Sequence, residues 1–463
     1  MKQSSRNRAF AVLVVLVVLA VGRITAQTVY SGTITGSVKD STGAVIPNAT
    51  VVVTNTATGV ENKVATTSVG DYTVPNLIPG QYSVLGEATG FAKEEVKGIT
   101  LVVDQQARVN IVLKVGAESS TVTITADAVQ LDTDTSAISQ LVSSQQVTDL
   151  PLDGRNFTDL LFIGAGATTI GGEQSGHPGA GDAISINGGR PESNTYLLDG
   201  IMNTDQTVNV PSTVLSIDAI EQFKVLSETY SAQYGMGANQ ISVVSKSGTN
   251  NFHGALFEFD RNNAFDAEQY FQSGPNTELR YNQFGFVVDG PVRIPWLYNG
   301  KDKTFFMANY EGLREIAGAN AGYSTVMTPD QLLGCMTKVV TDPTTGKPFP
   351  SGTDSNGVSC ASLIPAARFA TLSAATIAQG FIPKPNCSGC GTNPLDNIVL
   401  PSSGTTHTNQ QTYRIDEDMG KWGRLFGRGS YSTYNSFGYG GIGGPVSGSG
   451  VSEINTNWAV GHT

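Results

Sequence analysis

Hydrophobic and polar positions change rhythm along the chain, and each rhythm predicts a different element. After Lys2, Arg6 and Arg8 comes an unbroken apolar run, residues 9–22, followed by the small residue Ala26. This charged, apolar, small-residue order is that of a signal peptide cleaved after Ala26. The run is also shorter than the roughly 20 apolar residues needed to span a bilayer. From residue 32 to about 115, short β-branched runs (33–38, 50–55, 60–66, 71–74, 81–88 and 107–113) are separated by turn signals such as Pro79-Gly80 and Thr89-Gly90. That many strands in so short a segment predict a β-sandwich. Val147, Leu150, Leu152, Phe157, Leu160 and Leu161 then take a helical spacing.

Beyond Gly254 the pattern is alternation with aromatics. Ala255, Phe257 and Phe259 oppose Leu256, Glu258 and Asp260; Phe284, Phe286 and Val288 oppose Gln283, Gly285 and Asp289; Phe306, Ala308 and Tyr310 oppose Met307, Asn309 and Glu311. The first-named row of each strand is expected to face lipid and the other a wetter interior. Between residues 312 and about 411 the alternation lapses into Gly, Ser, Thr, Asn and Pro, which predicts a long outer loop; it returns at 413–416 and 424–431. No second long apolar run follows the first, so membrane-spanning helices are excluded and spanning strands are not.

Composition agrees with an all-β chain: among 463 residues there are 53 Gly and 20 Pro, and charged residues make up only 14%. That length suggests about three domains. The net charge of −11, with no clustered Lys or Arg, excludes nucleic acid as a partner. Cys335, Cys360, Cys387 and Cys390 all lie in the lapse, and in an oxidising compartment they read as two disulfides, with three pairings open. Cys387 and Cys390 have a zinc-knuckle spacing, but the other two form no second close pair, so disulfides are preferred over zinc. A redox role would need a βαβ pattern that does not surround them. His177, His253, His407 and His462 are scattered through loop-like sequence and read as solvated. No nucleophile–base set or usefully spaced acid pair appears, so no catalytic residue, metal or cofactor is expected.

Specific motifs carry a family resemblance. GTITGSVKDSTGAVIPNATVVVTNTATG and SVGDYTVPNLIPGQYSVLGEATGF resemble the carboxypeptidase regulatory-like domain, a transthyretin-like or carbohydrate-binding-like sandwich. The segment contains no His or Cys, so it reads as a binding or spacer module rather than a peptidase. Of its rings Tyr72, Tyr82 and Phe91, the two tyrosines sit at apolar strand positions and are expected in the core. Thr121, Val122, Thr123, Ile124, Thr125 and Ala126 alternate and resemble a TonB box; the plainer reading is a last strand or linker of the sandwich. The segments LDTDTSAISQLVSSQQVTDLPLDGRNFTDLLFIGAG, INGGRPESNTYLLDGIMNTD and IDAIEQFKVLSETYSAQYGMGANQISVVSKSGTNNFHG resemble a receptor plug. In the second, Asn187, Gly188 and Gly189 turn the chain, Arg190 is expected to pair with wall carboxylates, and Asp199-Gly200 makes a tight turn. A phosphate loop is excluded because GxGxxG is absent. NQFGFVVDGPV and KDKTFFMANYEGLRE resemble early barrel strands. Together, in this order, the parts resemble the Oar-like branch of the TonB-dependent receptors.

The resemblance implies a signal peptide over 1–26, a sandwich over 27–116, a TonB box and plug over 117–248, and barrel strands with a long outer loop over 249–463. The expected fold class is all-β dominated: a transthyretin-like sandwich, an α+β plug and an incomplete transmembrane β-barrel. A plugged transporter barrel has roughly 22 strands, against about five recognisable ones here, so a C-terminally truncated fragment is expected. The implied function is energy-coupled uptake at the cell outer membrane, without catalysis. Its partners would be a TonB-like periplasmic energy-transducing protein, bilayer lipid and an extracellular ligand: siderophore, vitamin, oligosaccharide or other carbohydrate, peptide or protein. Thr121 to Ala126 would dock on the TonB-like partner by strand addition. The alternatives are a secreted or surface β-sandwich adhesin or carbohydrate-binding protein, and, behind it, a secreted hydrolase.

Overall fold

The computed structural model describes residues 31–116, 121–125, 137–150, 152–164, 166–169, 184–205, 210–228, 230, 237–267, 277–318, 322–389, 395–400, 403–439 and 448–462. The expected leader lies outside these. The first unit is a two-layer sandwich built from β1 (Gly32–Asp40), β2 (Thr50–Asn55), β3 (Glu61–Ala65), β4 (Asp71–Leu77), β5 (Gly80–Glu87), β6 (Lys93–Leu101), β7 (Gln106–Arg108), β8 (Ile111–Leu113) and β9 (Thr121–Thr125). One sheet has the order β4-β1-β7 with β8 also on β1, and the other β3-β2-β5-β6-β9. The expected single strand over 107–113 is two, because β7 and β8 pair in parallel with successive stretches of β1 and are separated by Val109 and Asn110. Gly36 permits that crossing: a Cβ there would lie 1.8 Å from the Val109 carbonyl oxygen. Alternate residues of both sheets, among them Ile34, Val51, Val53, Val84, Ile99 and Ile111, close a dry core that supplies about 1.5–3 kcal/mol per fully buried side chain. Tyr72 and Tyr82 stand in it as expected; their hydroxyls donate to the carbonyls of Val109 at 2.6 Å and Ile78 at 2.8 Å.

The middle unit is α+β. It consists of β10 (Ile138–Ser143), α1 (Ser144–Asp149), β11 (Ala167–Thr169), β12 (Ile184–Ile186), β13 (Asn194–Leu198), β14 (Ile201–Met202), β15 (Ile220–Glu228) and β16 (Asn239–Ser245). Five of the strands form one sheet in the order β10-β15-β16-β13-β14. The helical spacing over 147–161 is not one helix. α1 opens with a Ser143–Gln146 capping box and stops at Leu150, which is extended because it precedes Pro151. Two 3-10 turns, Asp153–Arg155 and Phe157–Ile163, follow. Val147, Phe157, Leu160 and Leu161 still reach one core with Phe223 and Ile241, while Leu150 is exposed.

The third unit is a six-stranded antiparallel meander, β17 (His253–Asn262), β18 (Leu279–Pro291), β21 (Thr304–Gly318), β28 (Ser403–Asp418), β29 (Arg424–Tyr439) and β30 (Gly448–His462), in that spatial order and not closed on itself. One face packs on the middle unit. The other exposes Leu256, Tyr413, Ile415, Trp458 and Val460, the apolar band expected of a membrane wall. β19 (Arg293–Ile294) and β20 (Tyr298–Asn299) form a small hairpin at one end, which also carries the exposed Trp296 and Trp422.

The opposite end carries the loop over 319–402, with β22 (Gly322–Ser324), α2 (Pro329–Leu332), β23 (Cys335–Met336), β24 (Gly352–Thr353), β25 (Ser359–Cys360), β26 (Ser362–Leu363), α3 (Thr371–Ala378) and β27 (Ile398–Leu400). The loop is shorter than expected, since β21 runs on through residues 313–318 and β28 begins in small polar residues at Ser403, neither stretch showing apolar alternation. Cys335 and Cys360 form a disulfide. Cys387 is also disulfide-bonded, and Cys390 lies outside the described residues.

Two further expectations are corrected. In β18 and β21 the predicted aromatic rows face outward, but in β17 the phase is reversed: Phe257 is in register with inward-facing Gly285, and Leu256 with outward-facing Phe286. Phe257 and Phe259 turn inward because the Arg155 guanidinium lies over both rings, at 4.4 and 5.0 Å. The histidines His253, His407 and His462 stand in β17, β28 and β30 rather than in loops; His177 lies outside the described residues.

Candidate functional site: the seam between the middle unit and the wall

The seam is built on a turn. Asp199 and Gly200 join β13 to β14, and both have positive φ, 50° and 75°, the geometry of a type I′ hairpin turn, which Asp and Gly tolerate. This aims the Asp199 carboxylate at the wall. One oxygen accepts from the Ser245 amide at 2.9 Å and from Arg414 Nη1 at 3.0 Å. The other accepts from Ser245 Oγ at 2.9 Å and lies 2.6 Å from Arg428 Nε. Arg414 also forks onto Asp416 at 2.9 and 3.0 Å, and Arg424 reaches the same carboxylate at 3.1 Å. The side chains of Asp199, Arg414, Asp416 and Arg428 are all at most 1% exposed. Buried charges persist when paired and hydrogen-bonded; two carboxylates and the Ser245, Ser430 and Asn457 side chains supply the partners, while Arg428 Nε faces Asp199 as an ion pair without a hydrogen bond.

A second polar contact lies toward the long-loop end. Arg155, at φ 53°, pairs with Asp218 of its own unit and sits 3.6 Å from Glu311 of the wall. Ser216 and Gln283 both donate to Glu311. Beside it, a cavity of about 610 Å³ opens between α1 and strands β17 and β18, lined by Asp149, Leu152, Arg155, Phe259, Arg261 and Tyr281. That volume lies within the range of small-ligand sites.

The sequence-derived candidates divide. Asn187 and Gly188 make a second positive-φ turn, and Gly189 donates back to Ile186 at 2.9 Å. Arg190 is exposed and forms no ion pair with a described wall residue; the expected polarity is inverted, with the acid Asp199 supplied by the middle unit and the arginines by the wall. Arg155 is the arginine that does meet a wall carboxylate. Arg414 and Arg428 escaped sequence reading because nothing local pairs them with Asp199, which lies 215 residues from Arg414 and further still from Arg428. Their visible signal was an arginine at an inward position of an otherwise alternating strand.

Thr121–Thr125 forms β9, the parallel edge strand of the sandwich, on β6; Ala126 lies outside the described residues. Of the sandwich rings, Tyr72 and Tyr82 are buried in its core and Phe91, partly buried, packs against it.

The sandwich in turn docks at the short-turn end of the wall. Lys224 of β15 donates to the carbonyls of Val103 and Asp104 at 3.3 and 3.2 Å, and Val103 packs with Val244, Phe426 and Ala459. Asn250 bridges the carbonyl of Thr58 and the side chain of Asp302, each at 2.6 Å.

Comparison with known proteins follows the same three units. Residues 33–114 match the carboxypeptidase regulatory-like domain, 131–240 the TonB-dependent receptor plug domain, and 244–463 an outer membrane beta barrel domain. The TonB-dependent transporter Oar of Myxococcus xanthus is 27% identical over 315 residues, covering 64% of this chain and 28% of that protein, so the chain spans well under a third of its length. Among solved structures, a hydroxyquinol 1,2-dioxygenase from Pseudomonas putida aligns at 10% identity over 20% of this chain and 58% of its own, with a TM-score of 0.17. A pilus 2b backbone protein of group B streptococcus aligns at 20% identity over 19% and 42%, with a TM-score of 0.16. Overlaps of that size say nothing about function.

Proposed function

Because the chain belongs to the Oar-like TonB-dependent outer-membrane receptors, we propose that it serves energy-coupled uptake of an extracellular ligand and carries out no catalysis. Its place is the outer membrane, where the exposed row of Leu256, Ile415, Trp458 and Val460 meets lipid.

The observation that carries the proposal is the buried cluster of Asp199 with Arg414 and Arg428, which joins plug to wall by charge beside small apolar contacts, Val244 with Phe426 and Ala459 and Ala219 with Val287 and Met307. An apolar seam would resist water. A charged seam exchanges its partners for water at lower cost once solvent enters, so the plug is held firmly and can still let go. The cavity beside Arg155 lies on the long-loop side of the plug and is the proposed first contact for ligand, its aromatic and charged lining suiting a polar molecule with flat faces.

The proposed coupling segment is Thr121–Thr125, docking by strand addition on the sheet of a TonB-like periplasmic protein. Its alternating β-branched residues and its existing use as an added strand on β6 support that reading. The test is capture of the periplasmic domain of such a protein by the detergent-extracted receptor. Proline at Val122 and at Thr123 together removes an inward backbone donor whichever set of alternate residues docks. Capture should fall at least tenfold, and unchanged capture would sink the assignment.

A further inference from the structure

Strand β9 is joined to the sandwich by backbone pairing along the β6 edge. Its register with β6 runs from Lys93↔Thr121 to Lys97↔Thr125. Val122 is only half-buried, Thr123 and Ile124 are exposed, and neither Val122 nor Ile124 belongs to the sandwich core.

The strand beneath it is differently placed. β6 ends at Leu101 and continues directly into a finger, residues 102–105, whose shape is fixed by Asp104 at φ 55° and by the Gln105 side chain accepting from the Val102 amide at 3.0 Å. Val103 at its tip is fully buried against Val244 of the plug and Phe426 and Ala459 of the wall. The finger's carbonyls at Val103 and Asp104 receive the buried Lys224 ammonium. Lys224 stands in β15, in register with Leu141 of β10 on one side and Ser242 of β16 on the other. One unbroken stretch of chain, β6 and its finger, therefore connects the edge strand to the interior of the plug sheet.

We propose that the sandwich is a releasable clamp on the plug and that β9 is its handle. The clamp is the finger on β15 and β16. The handle is exchanged from the β6 edge to the exposed sheet edge of a partner protein, and its departure strips β6 of a neighbour, loosens the finger and frees β15 and β16 to shift. This rests on reading Thr121–Thr125 as the partner-docking strand, and it adds that the strand is held in reserve on the chain's own sandwich. Occupation of β6 also keeps an aggregation-prone edge covered until the partner arrives.

Amide hydrogen exchange of the detergent-extracted chain, with no partner present, tests both parts. Lys224→Met keeps the hydrocarbon stem and removes the donors to the finger. It should raise exchange over 220–228 and 239–245 at least tenfold while β6 stays protected. The double substitution Val122→Pro and Thr123→Pro should raise exchange in β6 and, at least threefold, over 220–228. Strands β21 and β28 report general unfolding and should not change in either variant. Unchanged protection of 220–245 in Lys224→Met overturns the clamp. Loss of β6 protection with an unaltered plug in the proline variant overturns the handle. Since no partner enters these measurements, they stand or fall separately from the capture experiment that tests uptake.

Discussion

Arg414 and Arg428 are direct cross-strand neighbours on β28 and β29, and both guanidinium groups converge on the single carboxylate of Asp199. Like charges placed opposite one another destabilise a sheet. This pair is tolerated because the plug delivers the counter-charge into the gap between them, so the wall in this region is complete only when the plug is seated.

Asp199→Asn should therefore cost far more than a surface substitution. It keeps the shape and leaves two buried cations sharing too little negative charge, for which about 3–5 kcal/mol is expected. Denaturant unfolding followed by tryptophan fluorescence checks it; a loss below about 1 kcal/mol would mean that Asp416 alone satisfies both arginines.

Gly36→Ala should damage the sandwich although it adds a single methyl group. The new carbon would meet the Val109 carbonyl oxygen at 1.8 Å, and backbone on both sides leaves little room to yield. A destabilisation of about 3 kcal/mol is expected, whereas Gly43→Ala, with nothing within 4 Å but a φ of 89°, should cost about 1 kcal/mol through strain alone. Thermal melts of the two variants side by side give the comparison.

The buried tyrosines set an alkaline limit. Burial pushes the Tyr82 hydroxyl from 10 up to about 12 and raises that of Tyr72 as well. Between pH 10 and pH 12 the unfolded chain has lost the Tyr82 proton and the folded chain has kept it. Stability is thus intact below pH 10 and falls as pH rises toward 12, by about 3 kcal/mol from Tyr82. Phenolate absorbance at 295 nm should lag behind exposed tyrosines until the sandwich opens; early titration of all tyrosines would contradict the burial.

Replacing Cys335 and Cys360 together by serine should loosen the outer loop and leave the wall intact. The bond closes a loop with a sequence separation of 25 residues, for which about 3 kcal/mol of local stabilisation is expected. Limited proteolysis should cut between α2 and α3 at least tenfold faster in the variant. The Asp342 carboxyl in the same loop is held down to about 2, chiefly by the Thr344 hydroxyl and amide with Arg368 beside it. Its contribution is present above the ordinary carboxylate range and is lost as pH falls toward 2, so loop opening should accelerate only in strong acid.

How far these features were legible in the sequence depends on the range of the interaction that creates them. The Asp199-Gly200 turn was readable because its cause lies in two adjacent residues. Its function as a charge donor to the wall was not, since the arginines belong to strands formed far along the chain. β6 escaped because Lys93, Glu94 and Glu95 break the apolar rhythm; Glu94 is nonetheless buried, accepting from the Val112 amide at 3.2 Å. β17 was found but with its faces reversed, because aromatics that serve a plug cation and aromatics that serve lipid follow the same period of two.

The Asp199 turn also makes the wall depend on a folded plug. Its carboxylate points outward only once β13 and β14 have closed on Asp199 and Gly200 at positive φ, and only then does Ser245 of β16 complete the cradle. Without the turn, Arg428 would lose its carboxylate and Arg414 would keep only Asp416. Strands β28 and β29 therefore have their full stability only around a folded plug, which disfavours an empty, leaking wall.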